Sequence, residues 1–182
     1  DRLRPQKLSD VTGQDHIVGA EGTLTRMLKS GRVPSLILWG PPGCGKTTIA
    51  RLLAGETNHA FEQLSAIFSG VAELRKAFDR AKALREQGKG TLLFIDEIHR
   101  FNRSQQDSFL PHMEDGTITL VGATTENPSF ELNAAVLSRA SVLTLNRLGD
   151  EALEDLLKRA EKEEGRALPL DTDSREALKG MA

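Results

Sequence analysis

Two stretches of this sequence combine residue types that handle phosphate. The first, Gly40-Pro41-Pro42-Gly43-Cys44-Gly45-Lys46-Thr47, has the spacing G-x-x-x-x-G-K-[ST]. It sits between a short apolar run at 36–39 and a segment of helical spacing that starts at Lys46, the strand-to-helix context this loop requires. Its glycines let the backbone curl so that several N–H groups face a phosphate, and the helix that follows adds its positive end. Lys46 then reaches the β- and γ-phosphates, and Thr47 offers a hydroxyl to Mg²⁺. The expected binding set runs from Gly40 through Thr48. Within it Cys44 fills a wildcard position, so its backbone N–H counts and its thiol does not.

The second stretch lies about fifty residues further on, where the apolar run Leu92-Leu93-Phe94-Ile95 ends in Asp96-Glu97. An aspartate there can hold the Mg²⁺ shell, and an acid at the next position can polarise an attacking water. That second acid points to hydrolysis as the purpose, not binding alone. Read in isolation, the six residues could also be a strand end beside a turn, the lesser of the two readings. No asparagine opens an N-K-x-D box, which favours adenine over guanine. A phosphotransferase acting on a metabolite would share the loop, but it needs an acceptor pocket and has less use for Glu97.

Such groups must be held by a scaffold, and its signature is alternation. Runs of β type at 35–39, 61–65, 91–95, 117–122 and 142–145 are separated by segments with helical spacing. The clearest helix is 71–85, where Val71, Leu74, Phe78, Ala81 and Leu84 form an apolar stripe and Gly88 follows as a stop. Helices are also expected at 46–54 and at 105–113, with Pro111 kinking or ending the latter. Repeated crossovers favour a parallel sheet covered on both faces, with ligands beyond the carboxyl ends of its strands. After Arg147 the strand signals stop and 151–159 and 171–182 read as helical, so one domain is expected over 1–147 and a second over 148–182.

Composition sets outer bounds. With 182 residues the chain suits one ordinary domain and part of another. Its 24 basic and 26 acidic side chains leave a formal charge of −2, which supplies no global attraction to nucleic acid. At 38% hydrophobic content it can bury a core without metal or disulfide staples. Its single cysteine forms no internal bridge, which leans towards a reducing compartment. The apolar runs are far shorter than a bilayer span. The opening, Asp1-Arg2-Leu3-Arg4-Pro5, resembles no secretory signal. An opening without methionine and a close at a helix start read as a segment cut from a longer chain.

Further motifs carry a family resemblance. Gly122-Ala123-Thr124-Thr125-Glu126-Asn127-Pro128-Ser129-Phe130, then Leu137-Ser138-Arg139-Ala140, follow the acidic pair, which itself continues as Ile98-His99-Arg100-Phe101-Asn102-Arg103-Ser104-Gln105-Gln106-Asp107. In that order they closely resemble the replication-associated recombination protein A family of AAA+ proteins. Its eukaryotic members include the Werner helicase interacting protein, and its relatives are clamp-loader subunits and the Holliday-junction branch-migration motor. The resemblance implies an α/β P-loop NTPase core, a five-stranded parallel sheet in an αβα sandwich, followed by the start of a small helical lid. It implies ATP hydrolysis with Mg²⁺ and a homo-oligomeric ring, a tetramer at full length. That ring acts on forked or single-stranded DNA at stalled replication forks, with replication proteins as further partners. The implied setting is the bacterial cytoplasm at the nucleoid, or a eukaryotic nucleus.

The same resemblance assigns individual roles. Thr125 falls at sensor 1, beside the γ-phosphate and the attacking water, with Asn127 as the competing candidate. Arg139 matches the arginine finger that completes a neighbouring subunit's site, and Val11, within 11–14, matches the lining of the adenine pocket, as does 3–5. Two departures stand out. Ser65 occupies the place of an asparagine that restrains the catalytic glutamate in clamp loaders, and the sequence stops at Gly180-Met181-Ala182, before the sensor 2 stretch Gly-Asp-x-Arg-Arg. A clamp-loader-like scaffold, gated by nucleotide and hydrolysing it only incidentally, is the alternative function.

The remaining polar residues have plainer readings beside functional ones. His99 and Arg100 could face DNA or relay nucleotide state, although a histidine beside such a strand is more often structural. His16, His59 and His112 lack the spacing of a zinc site. Arg100-Phe101-Asn102-Arg103 reads either as a DNA-facing loop of cations around a ring or as a helix cap. The mixed charges of 151–164 suit a solvated helix face.

Overall fold

The computed structural model describes residues 5–31, 33–147, 149 and 156–162. Five strands form its centre: β1 (Leu36–Trp39), β2 (Ala60–Ser65), β3 (Thr91–Asp96), β4 (Ile118–Thr124) and β5 (Ser141–Thr144). They pair in the order β2-β3-β4-β1-β5, every pairing parallel. The helices are α1 (Asp15–Val18), α2 (Thr23–Lys29), α3 (Lys46–Glu56), α4 (Val71–Glu86), α5 (Arg103–Asp107), α6 (Leu110–Glu114), α7 (Pro128–Glu131) and α8 (Ala134–Ser138). Residues 156–162 are also helical.

Successive side chains of a strand point to opposite faces, so a sheet covered on both sides needs apolar residues at every position. The central strands obey this. Leu36, Leu38, Leu92, Phe94 and Val121 join one buried cluster with Leu24, Ile49 and Leu53 from α2 and α3. Ile37, Leu93, Ile95 and Leu120 join a second cluster with Leu74 and Phe78 of α4, Phe109 and Val136. The result is the αβα sandwich expected from the alternation. The edge strand β2, by contrast, has no fully buried residue.

Local chemistry explains where elements stop. Helix α4 buries Leu74, Ala77, Phe78 and Ala81, exposes its first residue Val71, and gives way to Gly88 at φ +79°. The single helix expected over 105–113 is two short helices, α5 and α6. Pro111 lies in the first turn of α6 instead of ending a helix, because a missing N–H costs nothing where no intrahelical partner exists. Asn102 caps α5 by accepting from Gln105 N at 2.8 Å, while Gln105 Oε1 accepts from Asn102 N at 2.9 Å. Phe101 is buried, its ring 5.8 Å from that of Phe109. The 100–103 segment is therefore a helix cap over a core aromatic, and its ring is not available to stack on bases. The expected boundary near 148, most of the second domain, Leu3 and Arg4 lie outside the described residues. Among the described residues no helix is long and apolar enough to cross a membrane.

His112 of α6 stacks on Phe78 of α4 at 4.1 Å, and its buried Nδ1 has no hydrogen-bond partner. Burial, with Lys82 adding to it, lowers its pKa below the ordinary 6.5. In the window between the folded and unfolded values the unfolded chain holds more protons, so stability rises with pH there and is lost as pH falls through about 6.5. Replacing His112 with Phe should flatten this acid-side loss and stabilise the fold by about 1 kcal/mol by removing an orphaned polar atom. Urea unfolding of both proteins between pH 5 and 8 (roughly the range in which histidine titrates) measures this; parallel curves would contradict it.

Candidate nucleotide site

Three strand ends converge at the carboxyl edge of the sheet. From β1 the chain enters the loop 40–45, anchored where Gly40 N donates to Thr124 O at 3.1 Å. Gly43 and Gly45 then take φ of +75° and +101°, left-handed values that side chains with a Cβ rarely adopt. These two turns bend the loop into the start of α3, an 11-residue helix whose first residue is Lys46. Lys46 is buried, and its Nζ donates to Gly40 O at 2.6 Å and Pro41 O at 2.9 Å. A buried ammonium needs such acceptors, and these carbonyls can be exchanged for phosphate oxygens on the same loop.

From β3 come Asp96 and then Glu97, which adopts left-handed φ +54° while its N donates to Asp96 Oδ1 at 3.1 Å. From β4 comes Thr125, immediately past Thr124. Pro42, Gly43, Gly45, Lys46, Thr47, Thr48, Asp96, Glu97 and Thr125 line one cavity of about 400 Å³. Gly40, Pro41 and Cys44 do not line it; the first two hold Lys46, and Cys44 is buried 3.8 Å from Lys46 Nζ. Burial pushes the Cys44 thiol up, and Lys46 offsets only part of that, so the thiol stays protonated.

The other expected residues fall elsewhere. Asn127 accepts from Ser129 N at 3.0 Å as the cap of α7 and does not line the cavity, so of the two sensor candidates only Thr125 faces it. Val11 belongs to the buried core alongside Cys44 and Leu145 and is likewise absent from the cavity wall. Arg139 precedes β5 and lines a separate hollow with Val33, Pro34 and Ser35, which precede β1. That is the amino edge of the sheet, a strand length of about 13 Å from the loop. Its guanidinium donates to Glu114 Oε1 at 2.7 Å and to Ala135 O at 2.9 Å.

Two further residues, Gln14 of the 11–14 stretch and His99 of the stretch after the acidic pair, make contacts that their motifs did not specify. Gln14 is fully buried; its amide nitrogen donates to Cys44 O at 3.2 Å and Asn146 O at 2.7 Å, and its oxygen accepts from Asn146 N at 3.0 Å. It braces the loop against the chain leaving β5. His99, left between structure and function by its sequence context, approaches both Glu97 and Thr124.

The donor set suits a triphosphate with a divalent ion. Loop and helix N–H groups and the Lys46 ammonium supply positive potential, and the oxygens of Thr47 and Asp96 on the same cavity wall could hold a cation. Among the described residues no group of three His, Cys, Asp or Glu could hold a metal. Mg²⁺ fits this arrangement, because it is usually held by one or two protein oxygens, with substrate phosphates and water completing the shell.

Comparisons with known proteins agree with the geometry. A family model described as "ATPase family associated with various cellular activities (AAA)" matches residues 36–148. Replication-associated recombination protein A of Escherichia coli K12 is 50% identical over 182 residues, covering 97% of this chain and 41% of that protein. ATPase WRNIP1 of Dictyostelium discoideum is 48% identical over 87% of this chain and 18% of its own length. The chain thus spans less than half the length of these relatives. Among solved structures, the Thermotoga maritima RuvB Holliday junction branch migration motor superposes with TM-score 0.72 and 31% identity, over 91% of this chain and 56% of that one. With its P-loop, its acidic strand end and its all-parallel sheet, the chain belongs to the AAA family of ATPases, on the branch of the replication-associated recombination proteins A.

Proposed function

We propose that this chain is the ATP-hydrolysing core of a ring-forming motor that acts on DNA at stalled forks. The observation that carries the proposal is the convergence of Lys46, Thr47, Asp96, Glu97 and Thr125, from three strand ends, on one cavity. In this reading the loop amides and Lys46 bind the phosphates, and Thr47 and Asp96 would hold Mg²⁺. Bound there, the ion would neutralise charge on the β- and γ-phosphates. Glu97 accepts a proton from the attacking water, Thr125 orients that water and the γ-phosphate, and the core around Val11 backs the adenine side. Arg139, a strand length from its own cavity, serves the site of an adjoining subunit. Residues 148–182 begin the helical lid.

The DNA role draws its support from the names of the relatives and not from charge, since the chain carries −2 overall. A full-length motor should hydrolyse ATP several-fold faster when forked or single-stranded DNA is added. ATP-dependent assembly with a flat response to DNA would favour a nucleotide-gated scaffold instead. Labelled γ-phosphate appearing on a metabolite would indicate a phosphotransferase.

A further inference from the structure

The single turn Ile98–Arg100 directly follows Glu97, and it is pinned to the sheet from below. Ile98 is fully buried, and its Cδ1 fills the space a side chain on Gly122 would take, 2.7 Å from an ideal Cβ there. A side chain at this place in β4 would have to displace the Ile98 methyl. The turn in turn fixes His99, whose side chain is only 9% exposed. Its Nδ1 lies 2.8 Å from Thr124 Oγ1, and its Nε2 lies 3.3 Å from Glu97 Oε2. Thr124 is itself fully buried, and its Oγ1 accepts from Glu126 N at 3.0 Å.

Thr124 Oγ1 also lies 3.3 Å from Glu126 O; the shorter contact assigns its proton to Nδ1, which leaves the Nε2–H to face the Glu97 carboxylate. The imidazole therefore spans the gap between Glu97, the acid just past β3, and the hydroxyl of Thr124 that ends β4, one residue before Thr125. Glu97 needs such restraint, since a left-handed backbone at a residue other than glycine persists only where its surroundings hold it. Ser65, at the position of the restraining asparagine of clamp loaders, instead accepts from Ile67 N within its own loop at 3.3 Å.

We propose that His99 is a positioning residue that sets the direction of the Glu97 carboxylate from the end of β4, so that Thr124 and Glu97 act on turnover as one unit. This rests on the reading of Glu97 as the group that activates water. Binding of nucleotide does not involve His99, which does not line the cavity.

The test is a mutant cycle in the full-length protein, read as kcat, KM and ATP affinity, with melting temperature recorded for each variant. His99→Ala and Thr124→Val should each lower kcat by roughly 10- to 100-fold, the scale of a misplaced reacting group, with KM and affinity changed less than about twofold. The double variant should be no slower than the slower single one, and Thr124→Ser, which keeps the hydroxyl, should restore the rate. If His99→Ala fails to fold, Thr124→Val and Thr124→Ser carry the same comparison. A folded His99→Ala or Thr124→Val protein at the wild-type rate, or multiplicative losses in the double variant, would overturn the proposal. Glu97→Gln separates the two levels. If that variant is inactive while His99→Ala is unimpaired, only the role of His99 fails; if Glu97→Gln itself turns over normally, the assignment of Glu97 fails and the role of His99 with it.

Discussion

Alanine at Arg139 is expected to lower ATP turnover of the assembled full-length protein by about 10³- to 10⁵-fold, the range an arginine supplied to a phosphoryl-transfer site commands. ATP affinity of an isolated protomer should stay unchanged. The two halves of this expectation follow from position. Arg139 stands before β5 at the amino edge of the sheet, while the cavity opens at the carboxyl edge of β1, β3 and β4. No side chain rotation can bring it into its own site. Within the protomer its guanidinium is held by Glu114 and by the carbonyl of Ala135, so use by a neighbour requires exchanging these exposed partners, which hold it only weakly. Steady-state turnover of the assembly and nucleotide titration of the protomer check the pair of results. Lost affinity in the protomer would place Arg139 in a different role.

Glutamine at Glu97 should cost at least about 10²-fold in turnover, the lower bound of what a general base contributes, and leave ATP binding intact. The amide keeps the size of the carboxylate and hence the cavity wall, but it cannot accept the proton of water. Binding should survive because the groups assigned to the phosphates and to the metal lie on the loop, on α3 and at Asp96. Calorimetric titration with a slowly hydrolysed analogue, set beside steady-state rates, distinguishes the two effects. Equal loss of both would mean that Glu97 holds the nucleotide instead of acting on it.

Much of this site was readable before any fold was known, because its chemistry is local. A loop that wraps a phosphate needs its glycines, lysine and threonine within eight residues, and an apolar strand that ends in two acids advertises its burial and its tip together. The central strands β1, β3 and β4 were equally legible, since a sheet buried on both faces must be apolar at successive positions, as Leu36, Ile37 and Leu38 are. Other features depend on contacts far apart in the chain. Gln14 meets Cys44 and Asn146, 30 and 132 residues away, and no spacing rule links such positions.

His99 meets Thr124, 25 residues on, from a turn whose Ile98 packs over Gly122. Which of Thr125 and Asn127 lines the cavity was likewise a tertiary matter: both are short polar residues, and the cap of α7 occupies the asparagine. At Pro111 the ambiguity was one of register, because the same ring that ends a helix from within is welcome in the first turn of the next. Phe101 read as a ring between two cations, whereas the packing of α5 and α6 turns it inward onto Phe109.

The central claim is that ATP and its divalent ion occupy the cavity bounded by the loop, α3 and the end of β3. A crystal structure of the full-length Glu97→Gln protein grown with ATP and Mg²⁺ tests it most directly. The account predicts that the β- and γ-phosphates lie over the amides of residues 43–48, with Lys46 Nζ turned from the carbonyls of Gly40 and Pro41 onto phosphate oxygens. It also predicts that the ion sits between Thr47 and Asp96. Nucleotide bound at any other place, or a bound triphosphate with Lys46 still folded back and Asp96 directed away from the metal, would contradict it.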